Sequence, residues 1–193
     1  MFSVDGTPTF VLFKIKTMTN AMKNETDFLA DTLESKAVMF VPGEGEVLAM
    51  GGNSITLKVT SDISNDQLGV YEIKLAPATI GARLHYHRFM DETFVVRKGT
   101  LTVELADGPV HAREGAVVYV PRMTAHGFSN QSDEEVVINL IFNPGQQREG
   151  FFRGLKSILT EPVIDPAKYL KLYQKYDSFP VDVQNMLPVG PPQ

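Results

Sequence analysis

The chain contains no cysteine, and this single absence removes several classes of chemistry. Disulfides, thiolate zinc sites, iron–sulfur clusters and thiol nucleophiles are all excluded. No stretch approaches the roughly 18 consecutive apolar residues that a membrane span needs. The short run Phe10-Val11-Leu12-Phe13 is followed at once by Lys14 and Lys16, and Asp5 stands where a secretory signal would carry positive charge. These features lead us to expect a cytoplasmic protein with no membrane partner, although Met18 and Met22 stand as alternative starts to Met1. An excess of basic residues is lacking too: the formal net charge is −5 and the pI is about 5.4. No run of Lys and Arg is interleaved with aromatics, so no nucleic-acid partner is expected. Finally, there is no internal repeat that would indicate two similar domains.

What is present reads as one domain with extensions, since 193 residues fit a single core better than two. We divide the chain into an N-terminal arm (1–36), a barrel (37–144) and a C-terminal helical extension with its tail (145–193). In the arm, Phe28-Leu29-Ala30 and Leu33 predict one or two helical turns. From Ala37 onward, short β-rich runs recur between Gly, Pro, Asn and Asp, the pattern of an all-β sandwich or barrel. Strands are expected at Ala37–Val41, Glu46–Met50, Ile55–Thr60, Gly69–Leu75, Arg83–His87, Glu92–Arg97, Thr100–Leu105, Val110–Ala112, Ala116–Val120, Gly127–Asn130 and Val136–Phe142. Gly51-Gly52-Asn53, Lys98-Gly99 and Asp107-Gly108 mark turns, because Gly and Asn accept positive φ.

After Asn143-Pro144-Gly145 the period becomes helical, with Phe151, Phe152, Leu155, Ile158 and Leu159 on one face and Pro162 as a stop. Asp165 and Pro166 suit the N-cap and first position of a second helix carrying Tyr169, Leu170, Leu172 and Tyr173. Residues 187–193 are rich in Pro and Gly and are expected to be loose.

Three of the four histidines stand in one pattern. His85 and His87 are two apart in a β-rich run, so strand alternation points both imidazoles to one face. Glu92 follows at the start of the next run, close enough for a tight turn to bring it opposite the pair, and His126 comes just after Pro121. Imidazole and carboxylate are the ligands that iron, manganese, nickel, copper, cobalt and zinc accept. Arg83, two residues before His85, is expected on the same inward face, either pairing with a substrate carboxylate or bonded to a neighbouring acid at the barrel mouth. Phe94 and Val96 alternate with Glu92, and Phe128 with His126; they line an apolar substrate pocket or belong to the ordinary core. His111 falls outside the pattern.

The segment from Gly81 through His85, His87 and Glu92 to Gly99 resembles the first motif of the cupin superfamily. The segment from Gly115 through Pro121 and His126 to Asn130 resembles the second. One departure stands out: the family usually has Gly two residues after the Pro, where this chain has Met123, so a different backbone path before His126 is expected. The resemblance covers about residues 40–143 and implies a double-stranded β-helix, or jelly roll. It also implies one divalent transition metal held by His85, His87, Glu92 and His126 at one end of the barrel, with open coordination positions.

Cupins carry many functions on this scaffold, and fold does not choose among them. A single cupin with a helical tail is similar to quercetinase-like dioxygenases, which implies an oxidoreductase acting on a small aromatic or oxygen-chelating substrate. In that reading Glu92 serves as ligand and catalytic base. A non-catalytic binding protein and a metal-dependent isomerase of sugars or keto acids are the alternatives. The resemblance also implies a homodimer, for which the N-terminal arm and the two amphipathic helices offer surface.

Overall fold

The computed structural model describes residues 30–33 and 35–189. It divides into two units, Met1–Val38 and Met39–Gln193. Most of the first unit, including Phe10–Phe13 and most of the helical turn expected around Phe28–Leu33, lies outside the described residues.

The second unit is built from short strands, several of which alternate buried and more exposed residues. They are β1 (Glu46–Met50), β2 (Asn53–Val59), β3 (Gly69–Leu75), β4 (Thr79–Tyr86), β5 (Asp91–Lys98), β6 (Thr100–Leu105), β7 (Val110–Arg113), β8 (Val117–Val120), β9 (His126–Asn130), β10 (Val136–Asn143) and the two-residue β11 (Phe179–Pro180). Three helices complete it: α1 (Ser61–Ser64), α2 (Arg148–Leu159) and α3 (Pro166–Lys175). One sheet has the order β1-β2-β3-β10-β5-β8 and the other β11-β4-β9-β6-β7, with every pairing antiparallel. This is the jelly roll. The alternation is clearest in β3, where Gly69, Tyr71, Ile73 and Leu75 are buried and the residues between them are not. The side chains of Tyr71, Ile73 and Leu75 meet Phe94, Val96, Leu101, Val103, Ile138 and Leu140 in one core between the sheets.

Ala37–Val41 is not a strand. Val38 and Met39 are 61% and 79% exposed, and among the described residues no neighbouring strand supplies the ladder that a β pattern needs. The expected helices form where their apolar stripes fall. Phe151, Phe152, Leu155 and Ile158 of α2 and Tyr169 and Tyr173 of α3 are all buried in the core of their own chain. Each such side chain contributes roughly 1.5–3 kcal/mol relative to exposure. The helix faces that suggested a dimer are therefore covered within one chain. Asp165 caps α3, accepting from the backbone N–H groups of Ala167 (2.8 Å) and Lys168 (3.4 Å), with Pro166 at its first position.

The chain after α3 returns to the barrel. Phe179–Pro180 pairs with Tyr86–His85 at the edge of the second sheet, and Met186 is buried. The start of the expected loose tail is held as well, because the carbonyls of Leu187 and Val189 accept hydrogen bonds from Arg83.

Candidate metal centre

Strand pairing assembles the site from both sheets. His85 and His126 face each other directly across the β4–β9 pair. His87 follows the end of β4, and Glu92 is the second residue of β5 in the opposite sheet. All four side chains are buried, and one ligand atom from each lies within 4.8 Å of all the others.

The hydrogen bonds behind the rings fix which nitrogen faces inward. Nδ1 of His85 donates to the carbonyl of Arg83 (2.8 Å), Nδ1 of His87 to that of Asp177 (2.5 Å) and Nδ1 of His126 to that of Thr124 (2.9 Å). A carbonyl only accepts, so each ring carries its proton on Nδ1 and turns Nε2 to the centre. Nε2 of His87 and Nε2 of His126 each lie 2.9 Å from the same oxygen of Glu92, Oε2.

This donor set fits a divalent ion. His87, neutral with its proton on Nδ1, offers only a lone pair at Nε2, and a lone pair 2.9 Å from a carboxylate oxygen is repulsive unless a cation or proton lies between. Burial, the largest influence, holds His85 and His87 below the ordinary histidine value and so neutral. For His126 burial acts the same way, but the charge and hydrogen bond of Glu92 outweigh it and raise its pKa. Burial would raise Glu92, yet the charge of His126 and the close approach of both rings hold it well below the ordinary carboxylate range. Two imidazole nitrogens converging on one carboxylate oxygen at 2.9 Å form the kind of mixed nitrogen and oxygen set that would hold such an ion. The backbone carbonyls behind the rings are the outer support that metal-bound imidazoles commonly have.

The loop before His126 takes the conformation that glycine would permit. Met123 has φ of 66°, and its N–H donates to the carbonyl of His87 at 2.7 Å. Methionine thus adopts a left-handed backbone of the kind glycine favours. Arg122 pins the same loop through three hydrogen bonds to Asp91, one from its backbone N–H and two from its guanidinium.

A cavity of about 240 Å³ opens beside the centre. His85 and Glu92 form part of its wall, and the remainder is largely apolar, including Ile73, Leu140, Phe128, Phe142, Phe151 and Phe152. Phe128 is thus both core and lining. Phe94 is fully buried behind it, 5.2 Å from the Phe128 ring and 6.3 Å from the His126 ring, and does not reach the cavity surface.

Arg83 does not share the inward face of His85. Between Ala82↔Phe128 and His85↔His126 the ladder uses three residues of β4 against two of β9, and this bulge breaks the alternation. The Arg83 guanidinium instead donates to the carbonyls of Leu187 (3.2 Å) and Val189 (2.8 Å), beside a separate pocket that includes Ser129 and Asp182.

Three residues near the centre were not anticipated. Asp177 supplies the carbonyl for His87, and its carboxylate accepts the backbone N–H groups of Arg88 and Phe89. Tyr173 lines the cavity with its ring 6.0 Å from that of His85, and Tyr169 stacks on it from outside. Arg148 is 3% exposed, yet it lines the same cavity. A sequence signal for Arg148 did exist: it lies three, four and seven residues before Phe151, Phe152 and Leu155, putting a cation on the apolar stripe of α2.

With this geometry in hand, residues 71–142 match the family model described as Cupin domain. The barrel is a cupin domain. A search of curated proteins finds no match. Among solved structures the chain is similar to a sugar phosphate isomerase from a cupin superfamily of Silicibacter pomeroyi: 25% identity, 49% of this chain and 60% of that one, TM-score 0.44. It is also similar to KdgF from Halomonas sp.: 19% identity, 56% of this chain and 94% of that one, TM-score 0.48. The oxalate decarboxylase of Bacillus subtilis shares 23% identity over 51% of this chain and 27% of its own, TM-score 0.44. This chain therefore spans about three fifths of the isomerase, and no activity is carried over from these likenesses.

Proposed function

We propose that the protein is a metal-dependent oxidoreductase of the dioxygenase type, acting on a small aromatic substrate that approaches the centre through its oxygen atoms. The observation that supports this reading most is the make-up of the cavity, where two ligands, His85 and Glu92, stand in a wall otherwise dominated by aromatic and aliphatic side chains. A sugar would demand many polar partners. Beyond the ligands, the side chains that offer polar groups are Asn53, Thr79, Arg148 and Tyr173, which favours an aromatic ring over a polyol. At about 240 Å³ the cavity falls below the roughly 300–1,000 Å³ of sites for drug-sized ligands, so the substrate is small.

His85, His87, His126 and Glu92 would hold one divalent transition metal, which when bound would supply Lewis acidity and a meeting place for dioxygen and substrate oxygens. The chain does the rest. The apolar wall excludes water and orients the ring. Glu92 is kept ionised by its two imidazole neighbours, so it is an acceptor at neutral pH for a proton from a substrate hydroxyl. The three imidazoles can retain an ion without it, as three-histidine sites do.

Glu92→Gln should therefore keep most of the metal and lose about 10²–10⁴-fold in dioxygen uptake, the usual worth of a general base. The assay pairs metal stoichiometry with an oxygen electrode, using a flavonol or a catechol. If wild-type protein loaded in turn with iron, manganese, nickel and copper consumes no oxygen with either compound, this reading fails and the isomerase or binding-protein readings move ahead.

A further inference from the structure

Arg148 has a role that the metal centre does not explain. It is a buried cation, and among the described residues no carboxylate forms an ion pair with it. One nitrogen, Nη1, donates to the carbonyl of Tyr176 (2.7 Å) and to Oγ of Ser178 (2.9 Å). Its Nε is buried with no hydrogen-bond partner. The guanidinium carbon lies 3.8 Å from the ring centroid of Phe151 and 4.7 Å from that of Phe142. Removing a charge from water costs several kcal/mol unless a partner compensates it, and an unmade hydrogen bond adds to that cost.

Cation–π contacts with Phe142 and Phe151 and two neutral acceptors explain how Arg148 is tolerated. They do not explain why a cation without a carboxylate partner lines a cavity. The same cavity wall carries His85 and Glu92, so whatever occupies it meets the metal centre and Arg148 together.

We propose that Arg148 is a specificity-determining residue whose partner is a carboxylate on the substrate. This deepens the reading given above and rests on it for the aromatic ring. A carboxylate fits better than a phosphate. One guanidinium balances one negative charge, its planar fork matches a planar anion, and the walls around it have few further donors for a dianion. The substrate class is then a small aromatic carboxylic acid with ring oxygens at the metal end. Nη1 holds the loop at Tyr176 and Ser178, and the guanidinium charge is left without a carboxylate partner among the described residues.

The test compares 3,4-dihydroxybenzoate with 3,4-dihydroxybenzamide, which differ only in the charged group, by calorimetric titration of zinc-loaded protein and of chelator-treated protein. Wild type should bind the acid about tenfold or more tightly than the amide, the scale of a desolvated charge-assisted pair. Arg148→Met should abolish that preference and Arg148→Lys should keep part of it. A preference seen with zinc and absent after chelation would place the carboxylate on the metal and overturn the proposal, as would equal affinities in wild type. The wild-type comparison stands even if Arg148→Met fails to fold. The outcome is also separable from the oxidoreductase reading. Tight acid binding without oxygen uptake sinks only that reading, whereas equal oxygen uptake with acid and amide sinks only the role of Arg148.

Discussion

Replacing Met123 by glycine isolates one backbone term next to the metal centre. Met123 is 66% exposed, so its side chain contributes little burial, and its N–H bond to the His87 carbonyl does not depend on the side chain. What changes is the cost of φ at 66°. A left-handed backbone costs an L-residue about 1–2 kcal/mol, and glycine gives back about 0.5–1 kcal/mol through the larger entropy of its unfolded state. Met123→Gly should therefore stabilise the fold by about 0.5–1 kcal/mol, close to the gains seen when such sites are relieved. For a chain of this size that corresponds to a Tm rise of about 1–4 °C. Met123→Val should move the other way by about 1 kcal/mol or more, because a β-branched residue tolerates positive φ least. Urea unfolding followed by circular dichroism, with chelator present throughout, gives both values. A Met123→Gly protein less stable than wild type would show that the loop is held by the methionine side chain, and the backbone argument would fall.

Other consequences are as direct. Gly81→Ala would place its Cβ 2.0 Å from the ring of Phe128, a buried cavity residue, and should cost about 1–3 kcal/mol in the same unfolding assay; a neutral result would mean that the ring is free to move. Metal affinity should depend on pH through His126 first. His85 and His87 are depressed and already neutral near pH 7, whereas His126 is raised and must lose its proton to bind. At pH 6.5, the ordinary histidine value, the protons released per ion should be closer to one than to three, and three would contradict the assignment. Asp177→Ala strips the partner from the N–H groups of Arg88 and Phe89 and loosens the carbonyl behind His87, so metal affinity should fall about 10–100-fold while His111→Ala leaves it unchanged. We also propose a homodimer in solution, now through the exposed Val117 and Tyr119 on the edge strand β8 rather than through the helices, and a monomer by sedimentation at micromolar concentration would end that proposal.

The metal ligands were legible because strand alternation and a short turn are local rules. His85 and His87 share a face by period, and a tight hairpin brings Glu92 opposite them. Arg83 broke the same rule because a bulge in β4 is a property of the pairing with β9, which no single strand announces. Ala37–Val41 has strand composition without a neighbour to pair with, and pairing decides. The tail to Val189 reads as loose because Pro and Gly dominate it, yet its carbonyls satisfy Arg83, a contact across more than a hundred residues. Arg148 was visible as a charge on an apolar stripe, but only the folded chain shows that α2 turns that stripe toward the cavity holding His85 and Glu92.

The central claim is that His85, His87, Glu92 and His126 hold one transition-metal ion. Elemental analysis of wild type and His87→Ala, purified side by side without added metal, tests it most directly. The account predicts about one ion per chain in wild type, and a fall well below that in the variant together with a lower Tm. Wild-type protein free of transition metal that takes none up on dialysis, or a variant that keeps its full ion, would contradict it.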